Sequence, residues 1–519
     1  MKKQITSFLL AYIALFMYPT NSKPSSVAAA FPIENETDRL ALLAFKDRIT
    51  EDPLNLTASW NTSTHFCKWQ GVSCSTRHPG RVTVLNLAGK KLTGSLPPHF
   101  GNLSFLRGIN LENNSFRGMI PQELGRFKRL KYLNLSSNAF QGEIPTNLSY
   151  CSDIQVINLN YNNLVGKIPE ELSSLSTNKL KGFNVSVNGL TGSIPRWLGN
   201  VSSLLDLSMA RNYFQGTIPS ELGRLQNLRF FQIFENNLSG EVPPSIYNIS
   251  SLLFLSLVGN RFYGKIPQDI GFTLPNLLYL YVGNNQFTGH LPVSLSNASG
   301  LRYMVFNSCN FTGTMPTNLG SLKGLEKISV FRNQLETDEA EGFIFLTSLT
   351  NCSNLQLLDL GYNRFKGALP ASLANFSTSL QGLGVAANQI SGSIPEGIKN
   401  LIGLTRLYIS MNSITGEIPE GIGKLERLEE ISLDENRISG AVPETIGNIT
   451  KLRRLFLFAN NLSGNIPPSL GKCKKLEVLQ LFGNNLTGFI PKEVVSLSTT
   501  LSFLLGQNSL TGPLPMEFQ

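Results

Sequence analysis

Histidine is scarce in this chain. Four occur in 519 residues, His65, His78, His99 and His290, and no two of them stand at a metal-ligand spacing. Nucleophile elbow, phosphate-binding glycine loop and kinase signature are missing as well, so an enzyme is not expected. Charge is also thin, at 15% of residues against 41% hydrophobic, which suits a packed core and excludes a typical disordered chain. The net charge of +9 is modest for this length, and no basic run with interleaved aromatics occurs. Nucleic acid is therefore not an expected partner, while acidic ligands or cell-wall polyanions stay open. Long apolar runs are lacking: the stretch from Phe8 to Tyr18 has eleven residues, short of the roughly 20 of a membrane helix. Cysteine is limited to six, and no second pair or histidine couplet completes a zinc site beside Cys67 and Cys74. Neither metal nor cofactor is expected.

What the chain has in abundance is repetition. From Arg81 a 24-residue pattern, LxxLxLxxNxLxGxIP, recurs about eighteen times. Self-similarity at that period predicts an α/β repeat fold, a leucine-rich-repeat solenoid. The expected form is a curved right-handed superhelix with a concave parallel sheet. The asparagine closing each LxxLxLxxN segment sets the phase, from Asn114 to Asn508, with Lys90 in its place in the first repeat and Cys309 in the tenth. Leucines five and three positions before it share one strand face and bury together, while residues six, four and two before it face outward. The ladder asparagine itself reads as structural, its carboxamide tying backbone groups of adjacent coils. The glycine and proline of the LxGxIP half permit a tight backbone and close the segment.

Lys2, Lys3 and the apolar stretch to Tyr18, followed by small and polar residues, have the layout of a secretory signal peptide over 1–30. Secretion gives meaning to eighteen N-x-S/T sequons, at Asn35, Asn55, Asn61, Asn102, Asn113, Asn134, Asn147, Asn184, Asn200, Asn237, Asn248, Asn297, Asn310, Asn351, Asn375, Asn448, Asn461 and Asn485. Asn134 and Asn184 fall at outward strand positions, where glycans would block the N-terminal part of the concave face. In an oxidising compartment Cys67 and Cys74 read as a disulfide stapling a cap over 31–80. Cys151, Cys352 and Cys473 share one phase, eleven residues before a ladder asparagine, and read as buried free thiols. In the cap, ETDRLALLAFKDRI predicts a helix with Thr37 or Asp38 as N-cap and with Leu40, Leu43 and Phe45 near one face.

The LxGxIP repeats, the CxWxGVxC cap and the TDRLALLAFK helix together resemble the ectodomain of plant leucine-rich-repeat receptor-like serine/threonine kinases. The subgroup with the flagellin, elongation factor Tu and rice blight-resistance receptors is the nearest in pattern. A 30-residue repeat between Asn333 and Asn363 fits it too, and the similarity runs from residue 36 to 515. It implies a secreted or microbial peptide or protein ligand on the concave face and a leucine-rich-repeat co-receptor kinase. It also implies a membrane helix and a kinase beyond this chain. The solenoid is expected over 81–515, with an uncapped end at 516–519 that reads as a truncated receptor. A secreted decoy or inhibitor of a microbial cell-wall-degrading enzyme is the alternative. The role is extracellular in both, at the plasma membrane or free in the apoplast.

Outward positions point to where a ligand would sit. Early repeats carry small or amide side chains, Asn110, Asn134, Asn158, Asn184 and Ser208. From the seventh repeat they turn aromatic: Phe230, Phe234, Phe254, Tyr279, Tyr281, Tyr303 and Phe331. These rings form either an exposed hot-spot surface for a ligand or a cross-strand stack that only stabilises the sheet. Beyond them Gly382, Gly384 and Ala386 leave a flat interval, and Glu430 and Asp434 stand one strand from Arg454, Phe456 and Phe458, where opposite charges are expected to pair.

Overall fold

Each 24-residue unit folds into one coil because its hydrophobic positions can be buried only against the coils before and after it. The computed structural model describes residues 35–175, 179–337, 342–497, 501–513 and 516. The expected signal peptide over 1–30 and nearly all of the end at 516–519 lie outside them. Two compact units divide between Leu252 and Leu253. In the first, Val72–Cys74 pairs antiparallel with Val82–Asn86, which opens a parallel sheet continuing through Gly108–Asn110 and Tyr132–Asn134 to Phe230–Gln232. In the second, a parallel sheet runs from Phe254–Ser256 to Ser502–Leu504. Equivalent residues stand directly opposite one another, as in Gly182↔Asp206↔Phe230, so every outward position forms a column across strands. Among the described residues no helix is long and apolar enough to cross a membrane.

The strand leaves the sheet through the asparagine ladder. Asn212 is 6% exposed, and its Nδ2 donates to Met209 O (3.2 Å), Ala210 O (3.2 Å) and, in the preceding coil, Val185 O (3.0 Å). Its Oδ1 accepts from Leu190 N of that preceding coil at 3.0 Å. The same geometry recurs at Asn138, Asn285, Asn436 and Asn484. One carboxamide thus satisfies carbonyls and an amide that the turn would otherwise bury without partners. At Cys309 the ladder is reduced to a thiol donating to Val282 O at 3.6 Å.

Behind the ladder comes a short second strand. A proline then leads into a five-residue 3-10 helix on the back of the coil, as in Thr146–Tyr150 after Pro145. Gly125 shows why that helix accepts glycine: a Cβ there would lie 2.3 Å from Asn147 O of the next coil. In the enlarged repeat an α-helix, Ile344–Leu349, takes this place. Cys151, Cys352 and Cys473 are buried free thiols against this layer, as their shared phase predicts, and burial pushes Cys151 up to about 12.

Helix α1 (Glu36–Lys46) closes the N-terminal end, with two departures from expectation. Asn35, not Thr37 or Asp38, is the N-cap, its Oδ1 accepting from Asp38 N at 3.0 Å. The buried face is Asp38, Ala41, Leu42 and Phe45, whereas Leu40 is 53% exposed. Asp38 is turned inward to receive Arg81 Nε (3.2 Å) and Val82 N (2.8 Å), and that rotates the helix by about one position. Trp60 and Trp69 stack beneath it at 5.4 Å, beside the Cys67–Cys74 disulfide.

The ladder makes two opposite stability changes expected. Asn212→Ala should destabilise its unit by about 2–3 kcal/mol, since it orphans buried groups. Cys309→Asn should stabilise by about 1 kcal/mol by restoring the missing bonds. Urea melts of the two variants check both signs.

Candidate ligand-binding surface

The outward side of the main strands differs between the two units, and in each the identity of neighbouring columns decides what stays accessible. In the first unit the position four before the ladder carries Asn86, Asn110, Asn134, Asn158 and Asn184 in direct register. Each Oδ1 accepts from the backbone N–H two residues on, from 3.0 Å at Asn184 to 3.4 Å at Asn158. This second row of asparagines shapes the strand exit. Asn134 is fully buried, its Nδ2 donating to Glu112 Oε2 at 3.1 Å, and Asn184 is 6% exposed. Glycans at these two positions, expected to block the face, have no room there. Of the other sequons thirteen are exposed and three half-buried.

Further along this face Asp206 accepts from Ser208 Oγ at 2.7 Å, and Ser208 accepts from Gln232 Nε2 at 3.1 Å. Burial beside Phe230 pushes the Asp206 carboxyl up to about 6. Phe230 and Phe234 are half-buried, and the Arg211 guanidinium lies 5.9 Å from the Phe234 ring centre.

In the second unit four of the expected rings come together. Phe254 lies 5.6 Å from Tyr279 and 5.3 Å from Tyr281, and Tyr303 lies 5.2 Å from Tyr279 and 6.2 Å from Tyr281. The expectation of seven exposed rings needs correcting here. Phe254 and Tyr281 are each only 6% exposed, because flanking rings on adjacent strands cover them, while Tyr279 and Tyr303 remain half-exposed. Both readings of the sequence therefore apply, to different rings: two are packed in the stack and two present edges to solvent. Glu326 joins the cluster, pairing with Arg302 at 3.2 Å. Burial, followed by the nearby Glu326 charge, raises the Tyr303 phenol above its usual range.

Phe331 stands apart. Its ring packs on Tyr362 at 5.0 Å, and the Tyr362 hydroxyl donates to Met411 Sδ at 3.8 Å. Tyr362 and Met411 were missed by the outward-position rule because they precede the ladder asparagine directly, in the left-handed region at φ 56° and 55°. The Gly382–Gly384 strand gives space to its neighbour: a Cβ at Gly384 would lie 2.9 Å from Asp359 Oδ1. The expected charge pairing holds at Arg454 and Glu430, 2.7 Å apart. Among the described residues no three His, Cys, Asp or Glu side chains converge as a metal site. The surface is built for contact, with rings, amides and paired charges.

The chain matches the leucine rich repeat N-terminal domain over residues 35–75. It matches the leucine rich repeat over 80–140 and 402–462 and in four further single repeats. Among curated proteins it is 50% identical over 90 residues to the rice receptor kinase-like protein Xa21, a stretch covering 17% of this chain and 9% of that protein. It is 53% identical over 77 residues to the Arabidopsis thaliana LRR receptor-like serine/threonine-protein kinase EFR, 15% of this chain and 7% of the relative. Among solved structures it resembles PEPR1 bound to AtPEP1, with TM-score 0.71 and 29% identity, covering 93% of this chain and 77% of that one. It also resembles the Arabidopsis receptor kinase HAESA in complex with the peptide hormone IDA and the co-receptor SERK1. There the TM-score is 0.64 and the identity 27%, over 93% of this chain and 95% of that one. The fold is the leucine-rich-repeat solenoid of receptor ectodomains.

Asp206 makes stability in the first unit depend on pH. Its folded value of about 6 lies above the unfolded carboxylate value. The proton it holds therefore stabilises the fold at low pH, and that contribution is lost as pH rises through 6. Stability should fall by up to about 2.5 kcal/mol between pH 4 and pH 7, and Asp206→Asn should flatten the curve, as read by thermal melts across that range.

Proposed function

We propose that this chain is the extracellular ligand-recognition region of a plant cell-surface receptor, and that it takes up a peptide or protein on the outward face of its main sheet. The observation that carries this reading is the Tyr279, Tyr281, Tyr303 and Phe254 cluster. Two packed rings hold two half-exposed ones in place, so contact area is offered at little cost in side-chain entropy. Arg302 and Glu326 border the rings and supply polar partners for a bound backbone. Support comes from the fold shared with a receptor bound to a peptide hormone and its co-receptor, and from the homology to Xa21 and EFR. In this reading the role is in defence: the ligand is of microbial or secreted origin, a leucine-rich-repeat co-receptor kinase joins the complex, and signalling runs through a kinase domain of the whole protein.

A displayed peptide library selected on the purified chain tests the site. Tyr279→Ala with Tyr303→Ala should weaken the selected peptides by about 2–4 kcal/mol, a loss of thirty-fold or more. Arg454→Ala, remote from the rings, should leave them unchanged. Selected peptides that bind the double variant at wild-type affinity in calorimetry would remove the cluster from the site.

A further inference from the structure

Ten Lys and Arg lie between Arg77 and Lys131, against two carboxylates, Glu112 and Glu123. The fold gathers many of them on one edge of the first unit. Residues seven positions before the ladder form a hydrogen-bonded column there: Lys131 N donates to Arg107 O (2.8 Å), Gln155 N to Lys131 O (2.8 Å) and Lys181 N to Gln155 O (2.7 Å). No carboxylate interrupts it. The same column in the second unit neutralises itself, Arg302 pairing with Glu326 and Arg453 with Glu477. Two residues earlier in each coil, Phe105 lies between two guanidinium groups, Arg81 at 3.9 Å and Arg129 at 4.1 Å from its ring centre. Cation–π attraction offsets the repulsion between these like charges, which are held within about 8 Å of each other. Arg81 is fixed further by Asp38 and Ser104. Arg107, Arg129 and Lys131 have no carboxylate partner among the described residues, and Arg107 and Arg129 are exposed. Next to them Tyr150 is 57% exposed, with Lys128 Nζ 4.7 Å from its ring centre.

We propose that this edge binds a linear, carboxylate-bearing polysaccharide, a polymer with a uronic acid in each sugar unit. Arg107 and Lys131 on successive strands, roughly 4.8 Å apart, with Lys181 two strands further on, suit a one-dimensional partner with regularly spaced negative charge. The Arg129 guanidinium, held over the Phe105 ring and without a carboxylate of its own among the described residues, can take a carboxylate in a two-pronged fashion, and the exposed ring of Tyr150 offers the apolar stacking that a sugar face accepts. A nucleic-acid duplex would meet only this narrow edge, without the broad basic face that neutralises both strands. The inference rests on the extracellular placement proposed above, but it concerns a surface in the first unit, separate from the ring cluster of the second.

The test is binding of a uronic-acid oligosaccharide, long enough to span the column, to the purified chain at low and at physiological salt. Wild-type chain should bind, less tightly as salt rises, and an uncharged oligosaccharide of equal length should not. Arg107→Glu with Arg129→Glu and Lys131→Glu should weaken binding at least about ten-fold, and Phe105→Ala should weaken it while leaving net charge unchanged. The corresponding triple glutamine variant, with a smaller loss in the same direction, serves if charge reversal impairs folding. Tyr279→Ala with Tyr303→Ala should leave oligosaccharide binding intact, so failure here and failure of peptide recognition are separate results. No binding by the wild type, or undiminished binding by the glutamine variant, overturns the proposal. Equal or tighter binding of polyglutamate or single-stranded DNA of matched charge also overturns it, by reducing the edge to a non-specific basic patch.

Discussion

A buried carboxamide, repeated in coil after coil with Lys90 and Cys309 as exceptions, carries the architecture. A strand of three residues cannot end inside a stack without stranding carbonyls and amides away from water, and each such group would cost about 1–3 kcal/mol if left alone. The ladder asparagine answers with both halves of its side chain. Its Nδ2 serves two carbonyls of its own turn and one of the preceding coil, and its Oδ1 receives an amide of that preceding coil, as at Asn212 and Asn484. The bond therefore spans coils as well as closing a turn, and it fixes the register that turns equivalent residues into columns. Every surface feature of functional interest, the rings, the second row of asparagines and the basic edge, is a column of this kind.

Because backbone satisfaction is assigned to the ladder and core filling to the leucines beside it, outward positions carry little structural duty. Chemistry there can change from coil to coil without disturbing the stack. The first unit uses that freedom for amides and a buried carboxyl, and the second for aromatic rings bordered by Arg302 and Glu326. The partition explains how one repeat pattern supports two unlike surfaces on the same scaffold.

The repeat, its phase, the ladder, the disulfide and the in-phase thiols were all legible in the residues, since each depends on spacing along the chain. What escaped depends on neighbours across it. Asn35 reads as a sequon until the helix geometry makes it the cap. Leu40 has the hydrophobicity of a core residue, yet Asp38 takes the inward face because Arg81, far away in sequence, supplies the partner that a buried carboxylate needs. Four of the seven expected aromatic positions come together, and which of those rings are covered is decided by the width of side chains on adjacent strands. Phe254 and Tyr281 are covered by rings that stand one coil or more away. Tyr362 was invisible for a different reason: its left-handed backbone aims it toward the same surface from a position that a simple alternation assigns elsewhere.

The basic edge makes the same point about charge. Arg107, Lys131 and Lys181 are 24 and 50 residues apart, so their column is not a run in the sequence, and a local cluster such as RFKRLK at 126–131 does not show which of its cations share an edge. Stacking converts that period into a separation of roughly 5 Å per strand, well inside the Debye length of about 8 Å at physiological salt. Cations that do not interact along the chain must therefore interact in the fold, and unbalanced repulsion is what the second unit removes by alternating Arg with Glu in the equivalent column. The first unit uses that remedy at Asp153 and Lys179, 2.6 Å apart, but not between Arg107 and Lys131. An edge that keeps the repulsion between Arg107 and Lys131, and that holds the unpaired Arg129 over a phenyl ring beside them, is organised for an outside counter-charge rather than for internal stability.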